Sequence, residues 1–333
     1  MPPLFITGNM SSMQSVRRGG RTPKFWDEYE ISNGESSLKI TFWGTRGSIP
    51  TPSTSSFVTS QYGGDTTCIS VDCAGHRVIL DAGSGLRLLG LEMAKETAPI
   101  QATFFFSHVH WDHIQGFPFF IPGFQKGNRF DLYGPHLGIS PDFVGSILEK
   151  ALRGQQNDLN FPVQLNDMPA EMIFRDLPER AKVEIQGPLG LVKVFSAPLN
   201  HPGGCFGYRI EEHRPGQAVK VLAFATDTEH LDAVNPNMQF LAKNADVLIY
   251  DCQYSPEEYA DANGYSRKGW GHSTYEWGLR EAKAAGVKRL VMHHHDPLHD
   301  DSKVADMEKR ARVMGKDLGI EVQAAAQGMV LEL

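Results

Sequence analysis

The chain has 333 residues, 41% of them hydrophobic and 21% charged, with a net charge of −7. This is the balance of a soluble globular protein rather than a disordered one. The acidic excess argues against stable nucleic-acid binding, which leaves a basic footprint, but not against a small anionic substrate, since bound cations reverse the local field. Cys68, Cys73, Cys205 and Cys252 form no CxxC pair, which argues against a knuckle-type zinc site and for a reducing, cytoplasmic compartment.

Residues 1–36 contain no continuous apolar stretch of signal-peptide type and are read as a leader, separate from one domain over residues 37–333. No apolar run approaches the roughly 20 residues needed to span a bilayer. From Lys39 onward, short strand-like runs alternate with polar turns: Lys39 to Trp43, then Cys68 to Asp72 and Arg77 to Asp81 joined by Ala74-Gly75. Leu86 to Lys95 has a helical pattern, and Ala102 to Ser107 reads as a strand buried on both faces. Residues 114–180, rich in Pro, Phe and Gly, are expected to form an irregular cover, with a helix over Pro141 to Leu152. Phe117, Phe119, Phe120, Phe124, Phe130 and Phe161 of this stretch mostly suit a core, with one or two free to stack on a base. Further strands are expected at Leu191 to Phe195, Phe206 to Glu211, Val219 to Ala225, Val247 to Asp251 and Arg289 to His293. Helices are expected at Tyr275 to Ala285, stopped by Gly286, and at Ser302 to Leu318. Such alternation predicts an α/β chain of packed sheets with helices outside.

The chemistry concentrates in His108-Val109-His110-Trp111-Asp112-His113, directly after the buried strand. Neutral imidazole suits zinc and carboxylate suits harder divalent ions; His108 and His110 can share one metal, Asp112 and His113 a second. A lone histidine is usually a surface or satisfied core residue, but three histidines and an aspartate within six residues are not explained that way. A two-metal site needs more ligands and a bridging anion. Strand-like runs end at His201, at Asp227, whose carboxylate can bridge, and at His294 within His293-His294-His295. Each alone is weak, since an aspartate after a strand often only caps a turn; together they complete a ligand set. Asp81, before Gly83 and Gly85, reads as structural or as support for a ligand histidine.

This pattern resembles the metallo-β-lactamase superfamily over Leu38 to Leu333. The segments Trp43-Gly44-Thr45-Arg46-Gly47-Ser48-Ile49-Pro50, Tyr62-Gly63-Gly64-Asp65-Thr66-Thr67-Cys68 and Leu80-Asp81-Ala82-Gly83-Ser84-Gly85 are similar to its phosphodiesterase branch, which includes ribonuclease Z and cyclic phosphodiesterases. The resemblance implies an αββα sandwich, two mixed β-sheets flanked by helices, with two divalent ions at one edge. It implies that His108, His110 and His201 hold one ion, that Asp112, His113 and His294 hold the other, and that Asp227 lies between them. Zinc is the first choice of metal, with manganese or iron open, and a homodimer is expected. It places the ligand of the histidine triple at His294, leaving His293 and His295 to point away or to support the ligands from behind.

Gly271-His272-Ser273-Thr274 opens the helix at Tyr275. Ser273 or Thr274 suits the helix N-cap; as a functional site, hydroxyls and a histidine at a helix start make an anion site. A similar His-Ser-Thr segment meets phosphate in ribonuclease Z-like proteins. The resemblance therefore implies that His272, Ser273 and Thr274 bind substrate and that His272 protonates the leaving oxygen. Asp112 is expected to orient or deprotonate the nucleophile. The expected activity is hydrolysis of a small cyclic nucleotide or cyclic phosphate. A ribonuclease Z-like nuclease ranks lower, because no Lys/Arg-rich insertion of the RNA-gripping kind is evident; a lactone or thioester hydrolase shares the core motif without needing a phosphate-binding helix start.

Overall fold

The computed structural model describes residues 38–136, 145–261 and 264–333. The expected leader over residues 1–36 lies outside the described residues. Leu38 to Leu333 belong to one compact unit.

The first sheet contains β1 (Lys39–Gly44), β2 (Cys68–Cys73), β3 (His76–Leu80), β4 (Gln101–Phe105), β5 (Arg129–Pro135) and β6 (Glu171–Leu177). The second contains β7 (Lys182–Gly187), β8 (Gly190–Leu199), β9 (Cys205–His213), β10 (Lys220–Ala225), β11 (Val247–Asp251), β12 (Arg289–His293) and β13 (Glu321–Ala324). The last strand, β14 (Val330–Glu332), returns to pair antiparallel with β1. The sheets run β14-β1-β2-β3-β4-β5-β6 and β13-β12-β11-β10-β9-β8-β7. Each is an antiparallel set continued by parallel strands: β3 to β6 in the first, β10 to β13 in the second.

Among the described residues, seven α-helices connect them: α1 (Leu86–Met93), α2 (Trp111–Ile114), α3 (Ile147–Gln155), α4 (Pro236–Ala242), α5 (Pro256–Tyr259), α6 (Tyr275–Ala285) and α7 (Asp301–Leu318). The period-2 alternation of each strand sorts its side chains into separate layers. Phe105, Leu222, Phe224, Val247 and Ile249 face inward and pack sheet on sheet. Phe104 and Phe106 point the other way, to Leu86, Leu89 and Leu152 of α1 and α3. Ala223, Leu248 and Tyr250 face Leu241, Leu279 and Met307 of α4, α6 and α7. The result is helix, sheet, sheet, helix: the αββα sandwich that the sequence pattern implied.

β11, β12 and α6 coincide with their expected spans, residue for residue. The stretch 114–180 does not form an irregular cover throughout. It supplies β5 and β6, which extend the first sheet in parallel, and α3 against them. Phe117, Phe120 and Phe130 are buried there, as a core reading requires. All four cysteines are buried and free. No described helix is long and apolar enough to cross a membrane.

Candidate metal centre

β4, β8, β10, β11 and β12 all end at the same edge of the sandwich, and the chain leaving each end turns sharply. Asp81, Asp227 and His294 follow the ends of β3, β10 and β12 with φ of 60°, 54° and 63°. Side-chain-bearing residues rarely take this left-handed geometry, and it persists only where surroundings enforce it, most often at functional sites. The turns swing three side chains back over the sheet edge. After β4, the chain runs through His108 and His110 into the single-turn helix α2, whose winding sets Asp112 and His113 facing the same place.

Among the overlapping donor groups that result, two hold the residues picked from sequence as ligands. His108, His110 and His201 form one, with ligand atoms all within 4.8 Å of one another; Asp112, His113, Asp227 and His294 form the other. In the first, His201 Nε2 lies 3.2 Å from His110 Nδ1. In the second, His113 Nε2 is 3.1 Å from Asp112 Oδ2 and 3.2 Å from Asp227 Oδ1. His294 Nε2 is 3.2 Å from Asp112 Oδ2 and 3.1 Å from Asp227 Oδ1. Asp227 turns its other oxygen to the first group, 3.7 Å from His108 Nε2 and 3.9 Å from His201 Nε2. The seven residues picked from sequence therefore meet, with Asp227 between the two groups.

The electrostatics separate the groups. Burial, then neighbouring His113, hold His108 well below the ordinary imidazole range; burial likewise lowers His110 and His201. These rings are neutral and present lone pairs. Burial opposes charge on His113, yet Asp227, Asp112 and Asp81 raise it well above the usual value. Burial alone would raise the Asp227 carboxyl, but His113, His294 and His108 hold it well below the carboxylate range. His108 Nε2 is buried without a hydrogen-bond partner. A buried polar atom left unpaired costs about 1–3 kcal/mol, and a cation in the space shared by His108, His110 and His201 would satisfy it. The donor set, nitrogen-rich in one group and mixed nitrogen and oxygen in the other, fits divalent metal ions.

Supporting contacts hold the rings in place. His113 Nδ1 donates to Asp81 Oδ2 at 2.9 Å, and Asp81 also accepts from Ser107 N and Oγ. His294 Nδ1 meets Gln253 Oε1 at 2.9 Å, and Ser48 N donates to Asp112 Oδ2 at 2.7 Å. At Gly47, an added Cβ would sit 2.3 Å from the His294 ring, so only glycine fits there. His293 and His295 point elsewhere, to the carbonyls of Gly44 and Ala325. Ligand-supporting carboxylates typically contribute 10–100-fold to metal affinity. Asp81→Asn, whose side chain tolerates the left-handed backbone, is therefore expected to weaken metal binding by about that factor with the fold intact; competition with a chelating dye measures it.

His272 stands beside both groups, its ring stacked on His294 at 4.9 Å and edge-on to His201 at 5.3 Å between centroids. Its Nδ1 donates to Asp251 Oδ2 at 2.8 Å. Burial pulls the His272 pKa down, but Asp251, Asp227 and Asp112 outweigh it and raise it to about 9. Ser273 and Thr274 do not accompany it into the cleft. Ser273 is fully buried, its Oγ bonded to His230 Nδ1 and to Tyr250 OH, and Thr274 caps α6 by accepting from Trp277 N. Both hydroxyls are engaged within the protein, and the capping interpretation holds for Thr274. Trp111 is 79% exposed and neither floors the site nor packs in the core. With Val109, Phe119 and Phe161 it borders a pocket of about 570 Å³ beside the metal loop.

Sequence reasoning missed Asp251, Gln253 and Glu229. Asp251 carried a usable signal: it ends an expected strand as Asp81 does. Gln253 and Glu229 carried none, because a long polar side chain in a loop reads as solvated.

A family model described as a beta-lactamase superfamily domain matches residues 76–295. Ribonuclease BN of Escherichia coli O1:K1 / APEC is 26% identical over 282 residues, spanning 70% of this chain and 83% of that protein. Among solved structures, the metallo-beta-lactamase fold protein YhfI from Bacillus subtilis superposes with a TM-score of 0.61 at 18% identity, covering 90% of this chain and 100% of that one. A diphosphatase from the PhnP family superposes at 0.58 with 17% identity, covering 89% of this chain and 98% of its own.

Proposed function

Because the chain belongs to the beta-lactamase superfamily, we propose that it is a dinuclear metal-dependent hydrolase of the metallo-β-lactamase phosphodiesterase branch that cleaves a phosphodiester, a small cyclic nucleotide or cyclic phosphate first among the candidates. The observation that carries this reading is the Asp251–His272 pair against the ligand cluster. A lactone or thioester hydrolase needs the ligands but not a separate buried proton donor at their side.

When bound, two divalent ions supply hydroxide near neutral pH and a positive field for the phosphoryl oxygens. The protein's own groups do the remainder. Asp112, held by Ser48 N and facing His113 and His294, orients the attacking oxygen and takes its proton. His272 Nε2 delivers a proton to the leaving oxygen, while Asp251 fixes the ring through Nδ1 and keeps it charged. His201 Nδ1 donates to Gly271 O at 2.9 Å, so ligand and proton donor keep a constant spacing.

RNA cleavage is the second reading, favoured by the likeness to Ribonuclease BN, a relative whose name states a ribonuclease activity. Metal-loaded protein is expected to hydrolyse bis(p-nitrophenyl) phosphate, chelator to abolish this, and His110→Ala to reduce it at least about a hundredfold, at 1.36 kcal/mol per decade for a lost ligand. Two bound ions per chain with no phosphodiester cut would sink the reading and turn attention to esters and lactones.

A further inference from the structure

The loop from Gly264 to Gly271, which leads into His272, is fastened at its second half. Glu229 Oε1 accepts from Gly269 N and from Tyr259 OH, each at 2.7 Å, and Glu229 Oε2 accepts from Gly271 N at 3.0 Å. Gly271 in turn holds His201 through its carbonyl. The loop is thus tied to the metal-ligand side of the site by backbone hydrogen bonds to one carboxylate.

Arg267 lies on this loop, half-buried. Its guanidinium carbon sits 4.6 Å from the centre of the Trp270 ring and 5.6 Å from that of Tyr254. Tyr254 is buried and meets the His272 ring edge-on, 6.0 Å between centroids. Arg267 and His272 thus share Tyr254 as a neighbour. Arg310 and Arg289, by contrast, engage the carboxylates of Glu257 and Glu321. Arg267 has no carboxylate or carbonyl partner among the described residues; only aromatic rings hold it. Rings take the faces of a guanidinium and leave its edge, where five N–H donors form a fork that matches phosphate. In a protein of net charge −7, an unneutralised cation fixed beside a proton donor points to an anion supplied from outside.

We infer that Arg267, backed by Trp270 and Tyr254, is the binding site for a second phosphate of the substrate, one removed from the phosphodiester that is cut, on the His272 side of the centre. This rests on the phosphodiesterase reading and narrows it: the substrate carries at least two phosphates. A small cyclic diester with an extra phosphate monoester has that chemistry, and so does a strand of nucleotides with its next backbone phosphate.

Calorimetric titration of the metal-loaded protein tests this without requiring turnover, so it is independent of whether any diester is cut. Three ligands serve: thymidine 5′-monophosphate, thymidine 3′,5′-bisphosphate and the trinucleotide TpTpT. The wild type is expected to bind at least one of the latter two about tenfold more tightly than the monophosphate, the effect of one good charge-assisted bidentate contact. Arg267→Met is expected to bring that ratio to within about twofold, and Arg267→Lys to restore part of it. A preference for the bisphosphate identifies the small substrate; a preference for TpTpT identifies the strand. No preference in the wild type, or a preference that Arg267→Met leaves intact, overturns the assignment.

Discussion

Asp227→Ala is expected to reduce phosphodiester hydrolysis by roughly three orders of magnitude, because ligation and charge stabilisation of several kcal/mol are lost at 1.36 kcal/mol per decade. The metal content is expected to fall from two ions per chain to one or none. The Asp227 carboxylate faces both donor groups: one oxygen lies near His113 and His294, the other near His108 and His201. The variant also unbalances the site electrostatically. His113 owes its raised pKa first to Asp227, against burial, so the fully buried imidazole loses its main counter-charge and tends to the neutral form. Elemental analysis beside steady-state kinetics reads both effects. Retention of two tightly bound ions by Asp227→Ala would show that its carboxylate does not join them.

The second large effect belongs to His272. A general acid contributes roughly 10²–10⁴-fold, and most where the leaving group is poor. His272→Ala is expected to lose that much on a cyclic nucleotide, whose leaving oxygen is an alkoxide, and much less on bis(p-nitrophenyl) phosphate, whose leaving group needs no proton. The pH profile carries a matched prediction. In the role proposed above His272 donates only while protonated, so activity is expected to persist below its pKa and to fall as pH rises through it. Burial lowers that pKa and Asp251 is the first group that raises it, to about 9. Asp251→Asn removes the charge while keeping a side chain of the same shape, so the alkaline limb is expected to move to lower pH. An unmoved limb would mean that another group supplies the proton.

The sequence disclosed the centre more completely than the architecture around it. His108, His110, Asp112 and His113 fall within one short segment, so their clustering needs no knowledge of the fold. His201, Asp227 and His294 each follow a run apolar enough to read as a strand, and strand ends share an edge in a layered sheet. What stayed hidden depended on distant contacts. β5 and β6 mix polar residues with apolar ones because one face of the outer strands is only partly covered, so their pattern resembles a loop. Ser273 looked available because sequence cannot show that His230, forty-three positions away, and Tyr250 take up its hydroxyl. The left-handed turn at His294 was equally invisible; strand alternation sets His294 apart from His293 and His295 but does not say which face meets the other donors.

The return of β14 to β1 bears on how the molecule assembles. Lys39 pairs with Glu332, so the first sheet closes only when strands from nearly opposite ends of the described chain meet. Contacts of such long sequence separation form slowly, because the entropy of loop closure is lost before the pairing returns anything. The candidate ligands obey the same schedule: His108 to His113 come from the first half, while His201, Asp227 and His294 come from the second. Partly folded chains therefore hold at most a fraction of the donor set, and tight metal uptake during refolding reports arrival at the complete native topology rather than the formation of any single element.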